Sequence, residues 1–190
     1  MVSLKEIKRK DFANGSVYMF ETYDGYHIEC TDTFLPCYTK DAIDKKQNGP
    51  VSTDLGSRQD RWVIDVSVMV EIPIDQIPID HKSCDNVKFK KDRFLHPEEI
   101  FEQVLLIVEN NPDFDPAEAK EFKINYTRMD EPFLDIDNVR KAIMEIDAHF
   151  YETKVHHYIS TIDMKDYDFS WIKDNVTLHF KDHSFDESKE

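Results

Sequence analysis

The side chains best suited to chemistry gather in one stretch, residues 63–95, VIDVSVMVEIPIDQIPIDHKSCDNVKFKKDRFL. His81 and Cys84 stand three positions apart there, with Asp80 and Asp85 beside them. An imidazole and a thiolate both bind transition metals, so the pair can supply two positions of a metal site. Tetrahedral sites take three or four protein ligands, and a loop without metal is the alternative. Cys30 and Cys37 fall on and after a predicted hairpin, where small core or surface residues are the alternative to ligands. His156 and His157 are adjacent in a predicted strand, so one ring should be buried and the other exposed. Asp163, Asp166, Asp168 and Asp174 surround a loop that suits either a divalent cation or solvent. With four glycines in the chain there is no phosphate-cradling loop, and no G-x-S-x-G elbow occurs.

Composition bounds what these groups can serve. The chain has 190 residues, of which 40% are hydrophobic and 12% aromatic, enough for one domain with a real core. A formal charge of −15 repels nucleic acid and favours a protein partner with a basic surface. The basic run 82–93 stands out against that background. No apolar run approaches the roughly 20 residues of a membrane helix, and the first residues lack the apolar core of a signal peptide. Three cysteines do not suggest a disulfide framework. These features together predict a cytoplasmic, reduced protein with no membrane contact.

The elements that must position the site follow from pattern. Residues 1–14 carry mixed charge and suggest a short helix. Residues 16–23 and 26–34 are β-rich and flank Asp24-Gly25, a strong hairpin signal. Residues 38–61 contain Asn48-Gly49-Pro50 and Gly56 and read as a long loop. Residues 62–70, WVIDVSVMV, read as a central strand. Pro73 and Pro78 then bar regular structure. His96-Pro97-Glu98-Glu99 opens a helix, with Ile100, Val104, Ile107 and Val108 as its apolar stripe. A strand at 122–127, a helix at 136–150, a strand at 155–162, a short helix at 168–173 and a strand at 176–180 complete the order. Alternation of this kind predicts an α/β fold, with parallel strands and right-handed crossovers.

Four segments give this layout a resemblance to the radical S-adenosylmethionine (SAM) enzymes, closest to their ribosomal-RNA adenine methyltransferase branch. Val66-Ser67-Val68-Met69-Val70 is similar to the strand that leads into that family's cluster loop. Cys84 precedes Arg93-Phe94-Leu95-His96-Pro97 as the family's third cluster cysteine precedes its basic segment and helix. Met129-Asp130-Glu131-Pro132-Phe133-Leu134 with Asn138-Val139 resembles the Met-Gly-Glu-Pro run after the second strand. Ile159-Ser160-Thr161-Ile162, then Val176-Thr177-Leu178 and His183-Ser184, resemble the third and fourth strands. The resemblance implies a partial (βα) barrel of about four parallel strands, with a small N-terminal β-hairpin unit. It divides the chain into residues 1–61, hairpin unit and loop, and residues 62–190, the truncated barrel domain.

The resemblance also implies a [4Fe–4S] cluster on a Cys-x3-Cys-x2-Cys loop, with SAM on the unique iron. Measured back from Cys84, that spacing falls on Ile77 and His81, which leaves the loop short of thiolates. The SAM-binding positions carried over are Asp130, Glu131 and Ser160. Asp130 replaces a glycine and adds bulk and charge near SAM's carboxylate. Lys181 stands where the family has a serine near the ribose. The chain ends at Glu190, before the family's remaining barrel, so an open strand edge is expected to favour a homodimer. The expected function is therefore a cluster-less relative acting as an acidic binding or regulatory protein of the small viral or mobile-element kind, with catalysis leaning to lost. Two alternatives remain. One still binds SAM or a nucleotide in the old pocket; the other holds an iron–sulfur cluster with ligands from a partner or from Cys30 and Cys37.

Overall fold

The computed structural model describes residues 4–37, 55–70, 93–126, 132–161 and 168–180. Seven strands form one sheet in chain order. They are β1 (Lys5–Phe12), β2 (Gly15–Glu21), β3 (His27–Leu35), β4 (Arg61–Asp65), β5 (Glu121–Asn125), β6 (Val155–Thr161) and β7 (Val176–Phe180). The pairings from β1 to β4 are antiparallel, and those from β4 to β7 are parallel. Helix α1 (Pro97–Glu109) lies in the crossover from β4 to β5, and α2 (Ile136–His149) in that from β5 to β6.

This mixed sheet corrects the expected partial (βα) barrel of four parallel strands. Strand β3 is hydrogen-bonded on both sides, to β2 and to β4, so the hairpin about Asp24-Gly25 is built into the same sheet. Two α-helices stand among the described residues. The helix expected in residues 1–14 is strand β1. Its run KEIKRKDF has no apolar stripe to bury as a helix, whereas an edge strand tolerates charge on both faces. Gly15 allows the turn that returns β1 as β2: its φ is +152°, and a Cβ there would sit 2.0 Å from the Asp32 carbonyl oxygen. The helix expected at 168–173 is a set of turns. There the Asp168 side chain accepts from the Ser170 amide at 2.9 Å, competing with helical bonding.

Alternation along the strands sorts the sheet into two faces. Trp62, Ile64, Phe122, Ile124, Val155 and Ile159 are buried on the helix side, in one cluster with Ile100, Val104 and Ile107 of α1 and Val139, Ile143 and Ile146 of α2. That face supplies the hydrophobic stabilisation. It also encloses two polar networks. His157, fully buried, bonds the Tyr126 hydroxyl at 2.8 Å through Nδ1 and Asp147 Oδ1 at 2.9 Å through Nε2. Asp32, 1% exposed, accepts from Arg58 Nε at 2.7 Å and Trp62 Nε1 at 3.0 Å. As expected, the adjacent His156 lies on the other face and is half-exposed.

Regular pairing of β4 stops at Asp65, short of the predicted Val70. Val66 still donates to the Asn125 carbonyl at 2.9 Å, and Gln103 of α1 bonds both the amide and the carbonyl of Ser67. The chain leaves after Val70 and returns at Arg93, and these two residues are tied by a backbone hydrogen bond of 3.1 Å. Arg93 then forks. Its guanidinium meets Glu99 at 2.6 and 2.8 Å and Asp24 of the hairpin turn at 2.7 and 2.8 Å, with its plane 5.2 Å from the Tyr23 ring. The hydrogen bond from Arg93 holds the Asp24 carboxyl down to about 2 from its ordinary 3.8. Because the folded pKa lies below the unfolded one, this contribution is full above about pH 4 and is lost as pH falls towards about 2. Urea denaturation between about pH 5 and about pH 2 is expected to show that loss. An Asp24→Asn variant should fall less steeply over the same window; an equally steep fall would place the acid sensitivity elsewhere.

Candidate functional site

Strands β4, β5 and β6 end together, and ligands of parallel sheets settle at the carboxyl ends of the strands. On the face turned away from the helices these ends present Asp65, Asn125, Tyr158 and Ser160, with Thr31 on β3 opposite Asp65. Polar residues at alternate positions of otherwise apolar strands put them there: Asp65 in RWVID, Lys123 and Asn125 in EFKIN, Tyr158 and Ser160 in VHHYIST.

The geometry is specific. Asp65 accepts from Thr31 Oγ1 at 2.9 Å and from Asn125 Nδ2 at 2.6 Å. That contact fixes the Asn125 amide, so its oxygen points away from the carboxylate. Among the described residues, Asn125 Oδ1 and Ser160 Oγ are buried and have no hydrogen-bond partner. Ser160 is 4% exposed. An unpaired buried polar group costs about 1–3 kcal/mol, and most are satisfied. Lys123 completes the patch. Its Nζ lies 4.1 Å from the centre of the Tyr158 ring, and Tyr158 stacks on His179 of β7 at 6.0 Å. Burial, and then the neighbouring Arg61, lowers the Lys123 ammonium's pKa.

Of the residues singled out from sequence, Ser160 belongs to this group. Asp130, Glu131, His81 and Cys84 lie outside the described residues, as do Asp163, Asp166 and the basic run up to Asp92. Arg93, the end of that run, has its charge taken up by Asp24 and Glu99. Asp65, Asn125, Lys123 and Tyr158 were missed. The signal that could have found them is the matched polar alternation of three strands whose register brings those positions level.

An iron–sulfur cluster is the other cofactor that the sequence leaves open. Such a cluster is held by thiolates, and the chain has three cysteines. Cys30 is fully buried in the hydrophobic cluster, and Cys37 Sγ donates to the Asp60 carbonyl at 3.2 Å. Among the described residues no three His, Cys, Asp or Glu side chains converge as a metal site. No helix of the described residues is long and apolar enough to cross a membrane.

The fold is similar to that of a radical SAM methyltransferase from Sphaerobacter thermophilus, with a TM-score of 0.50 and 17% sequence identity. The match covers 83% of this chain and 38% of that one, so the chain spans about two fifths of that protein's length. At this identity the likeness establishes a radical-SAM-like fold. No protein-family model and no curated protein matches the sequence.

Proposed function

We propose that this chain is a small-molecule-binding protein built on a radical-SAM-like sheet, which takes SAM or a related nucleoside at the carboxyl ends of β4–β6. The observation that carries this reading is the pair of buried, unpaired oxygens, Asn125 Oδ1 and Ser160 Oγ, at the strand ends where parallel sheets bind ligands. Both can accept hydrogen bonds, which suits a ligand bearing amino or hydroxyl donors. Asp65 adds a carboxylate oriented from two sides. The group with which SAM enzymes of this fold start radical chemistry has no matching thiolate set here, so the proposed role is binding rather than methyl transfer.

The test is calorimetry and thermal shift with SAM, S-adenosylhomocysteine and adenosine. At least one should bind, and Ser160→Val should weaken it about tenfold. Ser160→Ala should weaken it too and leave stability unchanged within about 1 kcal/mol, because it removes an unpaired hydroxyl and adds no bulk. Neither heat nor a thermal shift at millimolar ligand would remove the proposal. A second reading, an acidic regulatory protein that docks a basic protein, is favoured by the charge of −15. It is distinguished by salt-sensitive capture of one defined basic protein without any response to the nucleosides.

A further inference from the structure

The basic side chains of this sheet face are not alike. Arg61 is paired with Glu121 at 2.7 Å, and His156 bonds Thr177 Oγ1 at 2.8 Å. Lys123 sits between them, with Arg61 on the β4 side and His156 across on β6. Its contact is the Tyr158 ring, and among the described residues no carboxylate lies within ion-pair distance of it. A half-buried ammonium of this kind is costly to hold without a counter-charge. Asn125 follows two residues along the same face, a separation of about 6.6 Å along the strand, and Ser160 stands at the end of β6. Lys123, which has no ion-pair partner among the described residues, is therefore two positions from Asn125 and four register positions from Ser160.

We propose that Lys123 is the anion anchor of this site, so that its ligand carries a phosphate or carboxylate at one end and N–H or O–H donors at the other. This rests on the reading of the face as a nucleoside-binding site and adds the charge of the ligand to it. The anion completes the coordination of Lys123, while the donors satisfy Asn125 Oδ1 and Ser160 Oγ. The Tyr158 ring beneath the ammonium restrains it, so less side-chain freedom is lost on binding. Burial, then the adjacent Arg61, lowers this lysine's pKa, and Glu121 and Asp65 oppose that shift.

Calorimetry with three probes tests this: adenosine 5′-monophosphate, which ends in a phosphate; S-adenosylhomocysteine, which ends in a carboxylate; and adenosine, which has neither. At least one anionic probe should bind about tenfold or more tighter than adenosine, as one charge-assisted hydrogen bond provides. Which of the two gains identifies the anionic group. Lys123→Gln should abolish the gain, and Lys123→Arg should keep most of it. Circular dichroism melts of both variants check that the sheet is intact. Equal affinity for all three probes, or a preference that survives Lys123→Gln, overturns the anchor while leaving the binding site standing. Failure of all three probes to bind removes the site and the anchor together.

Discussion

An Arg58→Met variant is expected to lose about 3–5 kcal/mol of stability, the cost of leaving a buried carboxylate without its cation. Asp32 is 1% exposed, and its Oδ2 takes the Arg58 Nε at 2.7 Å as well as the Trp62 indole at 3.0 Å. Arg58 is itself enclosed, with its guanidinium 4.9 Å from the Phe34 ring and 5.1 Å from the Phe114 ring. Removing it leaves Asp32 the weaker indole bond and the Tyr18 hydroxyl at 3.5 Å. Asp32→Asn in the same background should recover a large part of the loss, because the uncompensated charge is gone. Urea denaturation of the two single variants and the double variant gives the coupling. Strict additivity, or a loss below about 1 kcal/mol in Arg58→Met, would mean that Asp32 is solvated after all.

Arg93→Met is expected to cost about 3 kcal/mol. Glu99 has a fully buried side chain and receives both terminal nitrogens of Arg93, so its charge would be left with the His96 amide at 2.9 Å. The same substitution frees Asp24, and with it the acid sensitivity assigned to the hairpin turn. The two effects separate by pH. Near neutrality the loss should be largest, and towards pH 2 the difference should narrow by the share that Asp24 contributes. A constant difference across that range would assign the whole effect to Glu99.

Much of the local structure could be read from the residues. Asp24-Gly25 marked the β2–β3 turn, and Gly25 has φ +85° there. The Pro97-Glu98-Glu99 start and the Ile100, Val104, Ile107 stripe placed α1. Val139, Ile143 and Ile146 placed α2. The error lay in assembly. Nothing in KEIKRKDF marks a strand, because its pairing depends on Gly15 returning the chain and on β2 being there to receive it. Nothing local says that β3 pairs with β4 across the intervening 25 residues between Leu35 and Arg61. The resemblance to a barrel family supplied a topology for the parallel half and left the antiparallel half outside it. The site followed the same pattern. Ser160 came from the resemblance, whereas Asp65, Lys123 and Asn125 are ordinary strand residues until the register sets them side by side.

Strand β1 bears on how this protein behaves when concentrated. Its outer side pairs with no other strand among the described residues, and such an edge is the template on which sheets extend into fibres. Lys5, Lys8, Arg9 and Lys10 occupy four of its eight positions. A second β1 added antiparallel about the strand centre would oppose Lys8 with Arg9 and Glu6 with Asp11, like against like at every charged central pair. Fibre growth from that side is therefore blocked by composition, whereas the five residues of β7, VTLHF, carry no such guard.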